Sequence, residues 1–226
     1  MDLRTLLKSS GVRNFSKLLS ANVVAQVIGL VVYPILTRMY APEDFGLLNL
    51  FLSIGGVLTL ISIAEYQYAI VLPKEEKDAV SVFHVGIWAL FCSTICISVS
   101  VIFSDSISLL FKTPALSDIY WLLPVYVFIM GLWNLLNYWY VRQQNFGTIS
   151  VFQIFQSVLS SGSKIVLGLM HILRTGMVYS VVLAPIISIV CICVSGWRKI
   201  IPLLHFSWSN ILKKAKLSKE PAACIW

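Results

Sequence analysis

Charge is what this chain has least of. Only 12% of its 226 residues are charged, against about 25% in a soluble domain. That shortfall excludes an ordinary water-soluble fold. The 58% hydrophobic content and mean hydropathy of +0.85 place the chain in a membrane. Alternating segments of about ten residues are missing too, which excludes a membrane barrel. Catalytic signatures are equally absent: no G-x-x-x-x-G-K-[ST] loop, no H-E-x-x-H, no G-x-S-x-G and no acidic pair suited to hydrolysis. These absences favour a chain that moves something across or within the bilayer over an enzyme, with no catalytic residue and no cofactor. Five cysteines, Cys92, Cys96, Cys191, Cys193 and Cys224, lack the spacing and histidine support of a metal site. The first four read as small buried hydrophobes. No cleavable leader is evident, because the basic N-terminus runs into an apolar stretch longer than a signal peptide's and no A-x-A-like site follows.

Long apolar runs are what the chain does have. Six occur, at about 18–37, 44–64, 82–103, 119–140, 149–171 and 177–197. Away from water each must satisfy its own backbone, so helices are expected, and the fold class is an all-α integral membrane bundle. The formal charge of +7 is distributed by side. With the N-terminus in the cytoplasm, Arg4, Lys8, Arg13, Lys17, Lys74, Lys77, Arg142, Arg198, Lys199, Lys213, Lys214, Lys216 and Lys219 lie inside, while Arg38, Lys112 and Arg174 lie outside. Thirteen against three follows the positive-inside rule, and it makes a nucleic-acid partner unnecessary.

The chain divides into a basic interfacial N-terminus (1–17), the six-helix unit (18–197) and a basic cytoplasmic tail (198–226). Pro73-Lys74-Glu75-Glu76-Lys77-Asp78 reads as a solvated turn and Phe111-Lys112-Thr113-Pro114 as a surface-lying connection. Tyr120 and Trp121 at one end of the fourth run, with Tyr138, Trp139 and Tyr140 at the other, read as interfacial belts. Pro34, Pro124 and Pro185 interrupt runs one, four and six and favour kinks.

Polar residues within the runs form stripes at helical spacing. Asn22, Gln26, Gly29 and Tyr33 share one face, and Asn49, Ser53 and Gly56 another. The fifth run is the most polar, with Gln153, Gln156, Ser157, Ser160, Lys164 and His171 on one side. Three stripes of this kind predict helices around a water-accessible interior. Lys164 stands out: a charge at bilayer depth costs roughly 2.5–3.5 kcal/mol on insertion scales. It is therefore in a cavity, paired, or snorkelling along its stem, and its polar companions argue against a lipid-facing position. Between runs one and two, Leu36–Gly46 forms a tight hinge. Pro42 suits the first turn of a helix, Glu43 and Asp44 suit its positive dipole end, and Arg38 can pair with either carboxylate or with a lipid phosphate.

The order of these features resembles the bacterial polysaccharide flippases, the O-antigen and capsule transporters related to multidrug-and-toxin-extrusion exporters. The likeness is strongest at Thr37-Arg38-Met39-Tyr40-Ala41-Pro42-Glu43-Asp44-Phe45-Gly46. It continues in Glu65-Tyr66-Gln67-Tyr68-Ala69-Ile70-Val71-Leu72-Pro73 and Gln143-Gln144-Asn145-Phe146, and spans roughly residues 10–215. The resemblance implies one half of a two-bundle transporter in the bacterial inner membrane. Its cargo would be an oligosaccharide on undecaprenyl diphosphate, moved from the inner to the outer leaflet. Lys164 would meet the diphosphate, with Arg38 a weaker candidate, and Gln153, Gln156, Ser160, Asn22 and Gln26 would line the path. Coupling to H+ or Na+ is left open, and polymerase or assembly proteins are conceivable partners. Six helices are about half the family's number, and the likeness fades from Leu217, so a truncated or frameshifted product is expected. A drug or cation exporter of the same superfamily, and a non-transporting scaffold of a polysaccharide-synthesis complex, remain alternatives.

Overall fold

The computed structural model describes residues 10–64, 66–170 and 173–195. Glu65, His171, His205 and Cys224 lie outside them, as do the basic residues of the two termini; the side chains of 10–15 and 173–174 are likewise not described. The described residues are helical, with no strand among them. The helices are α1 (Ser10–Met39), α2 (Pro42–Ile63), α3 (Tyr66–Ala69), α4 (Glu76–Ser100), α5 (Ser104–Leu110), α6 (Ala115–Tyr120), α7 (Leu122–Arg142), α8 (Phe146–Leu169) and α9 (Leu173–Ser195); a 3-10 turn, Val101–Phe103, joins α4 to α5.

Among the described residues, five segments are long and apolar enough to cross a membrane: Ser16–Met39, Pro42–Ile63, Glu76–Leu110, Leu122–Arg142 and Thr175–Ser195. The sixth long helix, α8, is not among them, because glutamines, serines and Lys164 dilute its apolar content. It is packed between α1 and α9. Helix α7 is the other organiser, touching α2, α4 and α9.

Burial follows from a bilayer solvent. Two clusters form the core. One, at the hinge end, joins Leu36, Tyr40, Leu48, Phe51, Leu123, Tyr126 and Met177. The other, at the opposite end, joins Ile63, Phe83, Leu90, Leu135, Trp139 and Ile189. Many large apolar side chains, such as Leu30, Leu60, Ile61, Val99 and Val194, remain outside. Hydrocarbon solvates them as well as a protein core does, so there is no drive to hide them.

Four expectations are corrected. Cys92 and Cys96 are exposed rather than buried; on a lipid-facing strip a small apolar side chain is equally at home. Trp139, Tyr140 and Tyr120 are buried, so of the belt aromatics Trp121 is the exposed one. Consecutive residues sweep about 100° each around a helix, and residues 138–140 must therefore place some rings inward. Tyr138 itself is half-buried and meets Tyr68 edge-on, ring centroids 5.0 Å apart. The third correction is that the charged turn is shorter: α4 already begins at Glu76. The fourth concerns Pro124, which ends one helix instead of kinking another. Its ring cannot sit against the carbonyl four residues back, that of Tyr120, and α6 stops there, with α7 starting at Leu122. Helices α1 and α9 continue through Pro34 and Pro185.

Candidate functional site

The hinge is built locally. Helix α2 starts at Pro42, whose missing N–H has no intrahelical partner to lose. The Asp44 carboxylate turns back to accept the Ala41 N–H at 3.0 Å and is buried. Asp44 is thereby committed to capping, and Arg38 is exposed with no ion pair to Glu43 or Asp44. Tyr33 on α1 meets Phe45 on α2, ring centroids 5.6 Å apart. Beyond the hinge, α1 leans on α8 rather than on α2.

The α1–α8 seam gathers most of the predicted site residues. Gln153 Nε2 donates to Asn22 Oδ1, and Ser157 Oγ donates to the Ala25 carbonyl at 2.9 Å. Near the hinge the Tyr40 hydroxyl donates to the Lys164 carbonyl at 2.7 Å. Gly168 makes the approach possible. A Cβ there would lie 2.7 Å from Met39 Cε and 3.1 Å from the Tyr40 ring. Lys164 falls on the same face as Gln153 and Ser157, at spacings of eleven and seven. It is half-buried, five residues before the last of α8. Among the described residues its ammonium has no hydrogen bond or ion pair. Gln156 and Ser160 are half-buried beside this seam.

The stripes do not surround one interior in the way the spacing predicts. The α1 stripe meets α8 through the Asn22–Gln153 bond, and Asn22, Gln26, Asn49 and Ser53 all remain exposed. Ser53 Oγ satisfies itself on the Asn49 carbonyl at 2.8 Å, the usual back-bond of a helical serine. The result is a polar face on two helices that part company at a hinge.

At the other end of the bundle sits a residue whose role sequence reasoning missed. The Arg142 guanidinium, in the last turn of α7, donates to the carbonyls of Ile70, Pro73, Lys74 and Glu75 at 2.5–3.4 Å. A planar fork suits several acceptors at once. The clamp joins the end of the 65–73 motif to the 143–146 motif, which follows Arg142 directly. Position alone, a cation abutting one motif, was the available signal.

A multi-pass helical membrane bundle with these features is the class of protein in hand. Residues 35–223 match the polysaccharide biosynthesis protein family, and the chain belongs to that family. The match runs past Leu217, where the resemblance in the sequence fades. No curated protein and no solved structure matches the chain.

Proposed function

We propose that this membrane protein of polysaccharide biosynthesis is a flippase that carries a diphosphate-linked oligosaccharide from the inner to the outer leaflet. The observation that carries the reading is the exposure of Asn22, Gln26, Asn49 and Ser53 at membrane depth, on two helices that meet at the hinge and separate beyond it. Amide side chains facing hydrocarbon are costly, so that face is for water or for a polar cargo. Hydroxyl-rich sugars are matched by amides and hydroxyls, and a diphosphate is matched by a cation. Lys164, half-buried and without a carboxylate partner among the described residues, would supply that charge in this reading. In this reading the chain performs transport without bond chemistry, works in the bacterial inner membrane with its N-terminus in the cytoplasm, and binds lipid-linked oligosaccharide rather than nucleic acid.

A drug or cation exporter would be better served by an acidic group in the path, whereas the half-buried charge on α8 is positive. A scaffold would need no exposed polar face at all. Deleting the gene separates the three. A flippase predicts loss of surface polysaccharide together with build-up of lipid-linked precursor on the cytoplasmic leaflet. Changed drug sensitivity with normal polysaccharide favours the exporter. Loss of polysaccharide without precursor build-up favours the scaffold.

A further inference from the structure

Helix α4 carries an exposed apolar strip, Trp88, Phe91, Ile95 and Val99, spaced three to four residues apart. The strip does not end with the helix. It passes through the 3-10 turn at Ile102 and Phe103 and onto α5 at Leu109 and Leu110. These last four are 79%, 59%, 74% and 77% exposed, each well over half open. The opposite side of the same segment holds it to the protein. Val101 and Ile107 pack on the hinge-end core, and Ser108 is buried with its hydroxyl on the Asp105 carbonyl at 2.8 Å. The segment thus hides a serine and shows leucines, the reverse of what water would select.

Length gives an independent argument. Glu76–Leu110 is 35 residues. A straight helix of that length would reach about 52 Å, against a hydrocarbon thickness of about 30 Å. The excess has to leave the transmembrane direction, and the 3-10 turn is the place for it. Boundary markers lie beyond that turn: exposed Asp105 and Lys112, and Trp121, 51% exposed, at the start of the returning helix. Beside the strip, a groove of about 410 Å³ opens between α4 and α7, walled by Phe91, Ile95, Ser98, Pro124 and Phe128. It has the apolar lining and lateral opening that a hydrocarbon chain requires.

We propose that the segment from Ile102 to Phe111 is a wedge seated among lipid chains at the headgroup boundary of the hinge-side leaflet, with a lipid hydrocarbon chain lodged in the α4–α7 groove beside it. The occupant is lipid because the patch continues the exposed apolar face of Glu76–Leu110, a segment long and apolar enough to cross a membrane. Such a seat fixes the depth of the hinge end and keeps the α4–α7 connection out of the water.

The test uses single cysteines in a chain whose own five are replaced. Fluorophores are attached at Leu110, at Ser98 and, as a control, at Asp118, in vesicles of phosphatidylcholine and phosphatidylglycerol. Nitroxides on shallow or deep acyl positions, and aqueous iodide, are the quenchers. The Leu110 label should be quenched by the shallow nitroxide at least about twofold more than by iodide, since an interfacial helix sits roughly 5–10 Å into the boundary. The Ser98 label should respond most to the deeper nitroxide, and the Asp118 label to iodide. Leu110 quenched chiefly by iodide would place the wedge in water. Leu110 shielded from every quencher would mean a protein covers it. Either result overturns the proposal. Because a label can disturb packing, Leu110→Trp provides a second reading as a difference spectrum against the parent chain, whose seven tryptophans are common to both. The added emission is expected to blue-shift on vesicle insertion, and a water-like difference spectrum overturns the proposal.

Discussion

The Tyr40 hydroxyl holds the Lys164 carbonyl at 2.7 Å, tying the hinge to the helix that carries the half-buried cation. The contact joins residues 124 positions apart. Replacing the phenol oxygen leaves one carbonyl with a partner fewer and should lower stability by about 0.5–1.5 kcal/mol. Thermal unfolding of purified Tyr40→Phe in detergent measures it. Burial, and secondarily the Asp44 carboxylate, push the Tyr40 phenol above its ordinary 10.0. A raised value means the folded state keeps its proton longer than the unfolded one. The stabilisation is therefore constant below pH 10 and falls only as pH rises further. The gap between wild type and Tyr40→Phe should be flat from pH 6 to 9; a gap that closes within that range would contradict the assignment.

Glycines at two crossings predict a graded response. At Gly168 the nearest obstruction is the flexible end of Met39 at 2.7 Å, with the Tyr40 ring next at 3.1 Å. Gly168→Ala should therefore be milder than a clash with a ring alone, and Gly168→Leu should cost about 1–3 kcal/mol. At Gly55 a methyl group would stand 2.6 Å from two Tyr126 ring atoms. A ring cannot fold aside, so Gly55→Ala should already be costly, with the difference read as a lower unfolding temperature than that of Gly168→Ala.

Arg142→Lys should fail to substitute for arginine, because one ammonium cannot serve four carbonyls in a fork. Each charge-assisted bond is worth about 1.5–3 kcal/mol, with the exposed pair at the low end. The expected phenotype is local: protease cutting within residues 70–75 rises sharply in Arg142→Lys and Arg142→Ala alike. Resistance at the wild-type level in both variants would mean the loop is held by something else.

The six long helices were legible because apolar runs of membrane length carry their own signal. The short ones were not: α3, α5 and α6 have too few residues for a period to show. Polar stripes on α1 and α8 were visible in the spacing. That they would bond each other through Asn22 and Gln153 was not, since a period gives a face and never its neighbour. Tyr40, Gly168 and Arg142 act across more than sixty positions of sequence or within a close crossing, which local pattern cannot reach. The polar character of α8 was visible in the sequence; its packing between α1 and α9 was not.

Orientation rests on charge alone and is open to direct measurement. With thirteen basic residues on one side against three on the other, the proposed orientation has the N-terminus in the cytoplasm. Reporter fusions after Gly147 should read cytoplasm, and fusions after Thr113 should read the outside. The reverse pattern would invert the direction of every step proposed for transport.

The most direct test of the flippase reading is surface polysaccharide in cells whose gene carries Lys164→Ala, compared with Lys164→Arg. Both proteins should reach the membrane at wild-type level, since the Tyr40 contact uses the Lys164 main chain and survives either change. The alanine variant should lose most surface polysaccharide and accumulate lipid-linked precursor on the cytoplasmic leaflet, while arginine retains export. Wild-type export in Lys164→Ala would show that this cation does not meet the diphosphate.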